Sequence, residues 1–136
     1  MNESVWEHVK LAFWPSLIWL LIEYLLIRKL TNNFLPSKTM GTCTMIALIP
    51  IVFYSYTSIT GESIFAIDIT TFIVAVIVGQ ILSYTFLKKN QFSRNTDKVA
   101  LIILIALGIA FIVFTFYPPE LPIFRDPISR GYGISM

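Results

Sequence analysis

The residues whose types and placement best suit moving a proton or holding a ligand lie near the two ends of this chain, with one more at its middle. Glu3, Glu7 and His8 open it, Asp68 stands halfway, and Arg125 and Asp126 lie close to its end. Histidine titrates near neutrality, and a neighbouring carboxylate orients it or strengthens its hold on a proton, so His8 with Glu7 or Asp68 has the ingredients of a general base. Consecutive helical residues point about 100° apart, so Glu7 does not hold His8 directly and Ser4, Asp68 or the C-terminal tail are better placed to do so. Glu3 and Glu7, four apart, share a helix face where two carboxylates suit a cation or a shared proton. Each feature also has a plain structural reading: a solvated helix entrance for Glu3, Glu7 and His8, and for Asp68 an interfacial acid hydrated by headgroups or paired with Lys10.

The elements that position these residues are membrane spans. Of 136 residues, 56% are hydrophobic and 13% charged, against about 25% charged in a typical soluble domain. Crossing a hydrocarbon core of roughly 30 Å takes about 20 mostly apolar residues. Four such runs are expected, at 5–27, 45–59, 64–87 and 99–117, in a single all-α domain of residues 1–136 with a short ordered tail. Pro15 falls inside the first and Pro50 inside the second, which is the shortest. Thr60 to Ser63 alone separate the second from the third, so these two form an antiparallel hairpin. Pro118-Pro119 ends the fourth. The opening residues do not resemble a cleavable signal peptide.

Orientation follows from the excess of Lys and Arg in short cytoplasmic loops. Arg28, Lys29, Lys38, Lys88, Lys89, Arg94 and Lys98 fall on one face with Asp97 as the single acid, a net +6. Lys10, Arg125 and Arg130 fall on the other with Glu3, Glu7, Glu62, Asp68, Glu120 and Asp126, a net −3. With Glu23 inside the membrane the total is the chain's +2. The expected location is the cell membrane with both termini extracytoplasmic.

An ionisable residue within a span costs about 3 kcal/mol on insertion scales, so it faces the bundle, reaches for the surface or works. Asp68 shares a helix face with Phe72, Ala75 and Gly79, and the pair Ala75 and Gly79 is the small-xxx-small pattern that lets helices approach closely. Glu23 lies about 24 Å from Glu7 at 1.5 Å per residue and cannot share its site; with Arg28 and Lys29 one turn on, it is expected to snorkel to the inner surface. Gln80 and Ser83 are expected to hydrogen-bond between helices. Trp6, Trp14, Tyr117 and Tyr132 read as interfacial anchors, and Trp19 as packed deeper.

The tail alternates prolines, aromatics and charges in Leu121-Pro122-Ile123-Phe124-Arg125-Asp126-Pro127 and Gly131-Tyr132-Gly133. It is expected to fold back over the bundle with Phe124 and Tyr132 at the interface and Arg125 offered to Asp68 or Glu7. One Cys and one His leave no internal disulfide and no multi-Cys/His zinc site within the chain. No phosphate-binding glycine loop, nucleophile elbow or metalloprotease histidine pair occurs. No metal or other cofactor is expected, and no nucleic-acid partner.

The two ends together resemble a known family. Asn2-Glu3-Ser4-Val5-Trp6-Glu7-His8-Val9-Lys10, followed by Phe13 and Pro15, resembles a motif of small prokaryotic membrane proteins classed as a domain of unknown function, and the tail from Leu121 to Gly133 is similar to that family's ending. The resemblance implies a membrane location and joint action of the two motifs, and no activity. It also implies a helix ahead of the Asn2-Glu3-Ser4 motif in other members, so a shortened chain or a tolerated four-span form is expected.

The reading leans away from an enzyme. It expects a ligand- or cation-binding or transport component whose outer face gathers Glu3, Glu7, His8, Asp68, Arg125 and Asp126. The alternative is a membrane-embedded hydrolase or transferase with His8 as base and Glu7 or Asp68 as its carboxylate, Ser4 or a water then serving as nucleophile. A third reading is a small multidrug-type exporter, which the strong charge bias opposes. The lipid bilayer is the expected partner, and four helices leave little room for a private pathway, which suits a homo-oligomer.

Overall fold

The computed structural model describes residues 5–31, 33–89, 94–125 and 130–132. Four helices run up and down in antiparallel order: α1 (Val5–Ile27), α2 (Phe34–Thr60), α3 (Phe65–Leu87) and α4 (Arg94–Phe116). Each is long and apolar enough to cross a membrane. A single 3₁₀ turn, η1 (Pro122–Phe124), follows, and among the described residues extended pairing is confined to an isolated bridge between Arg125 and Tyr132. The start of α1, the α2–α3 connection and the end of α4 share one end of the bundle, the terminal end. The α1–α2 and α3–α4 connections share the other, the basic end.

The second helix is the longest, 27 residues, and begins at Phe34 rather than near Met45. Its first eleven residues include Pro36, Ser37, Lys38, Thr39, Gly41 and Thr42, too polar to read as a span. They are buried against neighbouring helices and do not face lipid. Pro36 lies in the first turn, where a missing N–H costs nothing. The Ser37 N–H donates to the Asn33 carbonyl at 3.1 Å, starting the helix, while Asn33 Nδ2 donates to the Lys89 carbonyl at 2.9 Å. At the far end Gly61 takes φ 79° and its N–H donates to the Thr57 carbonyl at 2.8 Å, a left-handed C-cap that residues with a Cβ adopt at a cost. The fourth helix likewise starts earlier than its apolar run, at Arg94, with Asp97 in its first turn, where a negative charge suits the helix dipole.

Helix α2 packs against all three others. Its contact with α3 is the closest: a Cβ built on Gly41 would fall 2.6 Å from the Gly79 carbonyl oxygen, and one on Gly79 would fall 2.6 Å from the Met45 side chain. Backbones touch there because neither residue has a side chain. The larger apolar core joins Val5, Val9, Phe13, Met45, Ile49, Ala75 and Phe111. Around it, Leu11, Leu25, Ile59, Ile73, Ile102, Ile109 and many other large apolar side chains are exposed on all sides. A face so apolar is matched to hydrocarbon, since lipid tails are as apolar as leucine. The molecule is a multi-pass membrane protein. Trp19, expected inside, is 52% exposed and belongs to this outer surface.

Candidate functional site

At the terminal end the first turns of α1 meet the last turns of α4. Glu7 and Lys10, three residues apart on one face, form an ion pair at 2.7 Å. The same ammonium donates to Thr115 Oγ1 of α4 at 3.1 Å, and that hydroxyl donates to the Phe111 carbonyl at 2.6 Å. Lys10 is 13% exposed and Glu7 31%, so the pair lies half out of solvent, held across two helices. Beside it runs a groove of about 490 Å³ lined by Glu7, Lys10, Leu11, Trp14, Phe111 and Ile112, with Pro15, Thr115 and Phe116 completing the wall. Pro15 has no N–H, so the Leu11 carbonyl in that wall lacks its usual donor four residues on. Leu11, Ile112 and Phe116 are exposed on the bundle's outer surface, and the groove therefore opens sideways.

The tail closes over this end. Phe124 is buried, 4% exposed, and its ring sits 4.6 Å from that of Trp6. Trp6 in turn stacks 4.6 Å from Phe111, and Phe111 lies 4.6 Å from Phe13. Aromatic pairs at such separations contribute about 0.5–1.5 kcal/mol each beyond their burial. Trp6, expected as an interfacial anchor, is thus the centre of an aromatic stack that ties the tail to α1 and α4. Arg125 follows at once and bridges through its backbone to Tyr132.

Asp68 belongs to a different pair of helices. The Tyr56 hydroxyl on α2 donates to Asp68 Oδ1 on α3 in a very short hydrogen bond, and accepts one from the Ile64 N–H at 3.2 Å. One phenol therefore ties the α2–α3 turn to the first turn of α3. Lys10, a partner expected for Asp68, is held by Glu7 and Thr115, and Arg125, another, is paired with neither Asp68 nor Glu7. His8 is half-buried at the end of the first turn of α1. Glu3, Asp126 and Ser4 lie outside the described residues. Glu7 and Asp68 are thus at the same end but in separate polar pairs. Among the described residues no three His, Cys, Asp or Glu side chains come together as a metal-binding group.

The most deeply embedded polar cluster is one the apolar pattern concealed. Lys38 Nζ lies 2.5 Å from Glu23 Oε2, with side chains 9% and 21% exposed. Glu23 does not snorkel toward Arg28 and Lys29; it is neutralised inside the bundle by Lys38 of α2, whose polar first turns lie ahead of the span expected at 45–59. The pair borders a cavity of about 10 Å³ that also involves Ser16, Thr42, Gln80 and Ser83, room for roughly one water. Ser83 Oγ, expected to bond across helices, is fully buried with no protein partner. Charge complementarity between Glu23 and Lys38 is the available signal, hidden by their separation of fifteen positions and by the polarity of the helix turns that carry Lys38.

No curated protein and no solved structure matches the chain. A family model described as "Family of unknown function (DUF6512)" matches residues 1–134. That match takes in both the start of α1 and the tail that packs on it, and the chain belongs to that family of unknown function.

Proposed function

We propose that this membrane protein binds a single-chain amphiphile in the groove between α1 and α4, with the polar head at Glu7, Lys10 and Thr115 and the chain along Leu11, Trp14, Ile112 and Phe116. The observation that carries this reading is the groove's polarity gradient. One end holds an ion pair and a hydroxyl, and the remainder is apolar and open toward the lipid-facing surface. A volume of about 490 Å³ falls in the range of roughly 300–1,000 Å³ typical of small-molecule sites. Glu7 neutralises Lys10, so the polar end suits a zwitterionic head better than a strongly anionic one. The lateral opening supports entry from the bilayer. The cation excess at the basic end supports an orientation in which this groove serves the extracytoplasmic leaflet of the cell membrane. The exporter reading is disfavoured because Lys38 already occupies the carboxylate of Glu23 that a cation exchanger needs in its first helix.

The test is binding of a fluorescent lysophosphatidylcholine to the purified full-length protein. Lys10→Gln is expected to weaken binding about tenfold, the loss of one charge-assisted contact. Leu11→Trp, which fills the groove, is expected to abolish it, and Ile102→Trp on a distant lipid-facing surface to leave it unchanged. Equal binding by all four proteins would discard the groove as a site.

A further inference from the structure

The basic end carries a second pocket, unrelated to the α1–α4 groove. It has a volume of about 380 Å³ and lies where the end of α1, the α1–α2 connection and the starts of α2 and α4 converge. Arg28 and Lys29 line one part of it and Asp97 another, with Tyr24, Phe34 and Leu35 supplying ring and aliphatic surface. Two cations and one anion share this pocket, yet among the described residues none of the three forms an ion pair. Opposite charges that line one cleft without meeting leave both signs to be answered by whatever fills it.

The Arg28 side chain is held in place. Arg28 donates to the Tyr24 hydroxyl at 3.0 Å and its guanidinium stands 4.9 Å from the centre of the Tyr24 ring. Tyr24 packs on Phe34 at 5.7 Å, and Phe34 is buried. A fork fixed in this way loses less freedom on binding than a free surface arginine. Asp97 is fixed by its place in the first turn of α4. The pocket also sits at one end of four helices, each long and apolar enough to cross a membrane, the level at which headgroups are expected.

From this arrangement we infer that the pocket binds the headgroup of an aminophospholipid of the phosphoethanolamine type. The phosphodiester accepts hydrogen bonds from Arg28 and Lys29, and the primary ammonium donates to Asp97. A choline head offers no N–H to Asp97, and an anionic head such as phosphatidylglycerol sets a hydroxylated tip against it without neutralising it. The charge order of the pocket therefore selects ethanolamine over both. Basic pockets between membrane helices are recognised headgroup sites; the acid is what makes this one discriminate.

The experiment is native mass spectrometry of the full-length protein with phosphatidylethanolamine, phosphatidylcholine and phosphatidylglycerol of matched chains. Wild type is expected to retain phosphatidylethanolamine about tenfold more strongly than phosphatidylcholine, the loss of one charge-assisted hydrogen bond. Asp97→Asn is expected to erase that preference while still binding phosphatidylglycerol, and Asp97→Glu to keep it. The double variant Arg28→Gln/Lys29→Gln is expected to lose affinity for all three lipids, with helix content by circular dichroism unchanged. Equal retention of the ethanolamine and choline lipids by wild type would overturn the inference without any variant. A wild-type preference for phosphatidylglycerol, or soluble phosphoethanolamine bound as tightly as the lipid, would overturn it too. The Lys10 and Leu11 variants leave this pocket intact, so failure of the groove and failure of this site are separately visible.

Discussion

The pair Glu23 and Lys38 is the residue-scale feature with the largest energetic consequence. Two opposite charges inside apolar surroundings attract strongly, but their desolvation offsets much of that gain, so the pair adds little net stability while each member alone is costly. Glu23→Gln or Lys38→Met, removing one partner, is expected to destabilise the fold by about 3–5 kcal/mol. The double variant Glu23→Gln/Lys38→Met is expected to recover most of the loss, because no uncompensated charge remains. Unfolding of the detergent-solubilised protein in increasing dodecyl sulfate measures this cycle, and additive losses in the double variant would show that the two side chains are not coupled. The sequence placed Glu23 correctly inside a span but assigned it the wrong escape. Snorkelling is the expectation for an isolated acid near a helix end, and only the packing of α2 showed that Lys38 was within reach.

The helix pair α2 and α3 depends on Gly41 and Gly79. A methyl group at position 41 would meet the Gly79 carbonyl oxygen at 2.6 Å and Ser83 Cβ at 3.0 Å, and backbone cannot rotate away as a side chain can. Gly41→Ala is therefore expected to destabilise the protein by about 1–3 kcal/mol, the usual range for overpacking, despite the better helix propensity of alanine. Gly108, in the middle of α4, meets only Phe13 Cζ at 4.0 Å. Gly108→Ala is expected to stabilise by up to about 1 kcal/mol through propensity alone. Thermal unfolding of both variants by circular dichroism checks the contrast, and equal effects would mean that the close approach at Gly41 is not limiting. Asp68, Ala75 and Gly79 do share a face, as their spacing required, and that face meets α2: Asp68 through the Tyr56 hydroxyl, Gly79 through its backbone against Gly41 and Met45. The partner residues on α2 are not legible in the sequence, since Gly41 precedes the apolar run expected at 45–59, whereas α2 begins at Phe34.

For the whole molecule the deciding quantity is the distribution of charge between its two ends. Removing Lys38 from the basic surface into its buried pair leaves Arg28, Lys29, Lys88, Lys89, Arg94 and Lys98 there with Asp97 as the single acid, so the bias survives the correction. Both termini are accordingly expected outside the cytoplasm. Alkaline phosphatase fused after Met136 is expected to be active in intact cells, and the same fusion at Lys89 inactive; the reverse pattern would invert the orientation. Replacing Arg28, Lys29, Lys88 and Lys89 with Gln is expected to reduce phosphatase activity at the C-terminus, because basic residues in short loops favour the cytoplasmic side and their loss weakens that preference.

Some of this architecture follows from the amino-acid sequence alone. A span in lipid must satisfy its backbone internally and show hydrocarbon an apolar surface, so composition and run length alone required four antiparallel helices, and the aromatic and proline spacing of the tail was enough to expect Phe124 back on the bundle. Alternation of helices also required Glu7, Asp68 and Arg125 to share one end. Shared depth is not contact, however. Which polar groups meet depends on which helices are neighbours, and that was decided by the Gly41–Gly79 approach, by α2 lying at the centre, and by Trp6 seating Phe124. Those contacts paired Asp68 with Tyr56, Glu7 with Lys10 and Glu23 with Lys38. Hydropathy reports affinity for lipid, and so it was blind to the first turns of α2, whose polar side chains face protein.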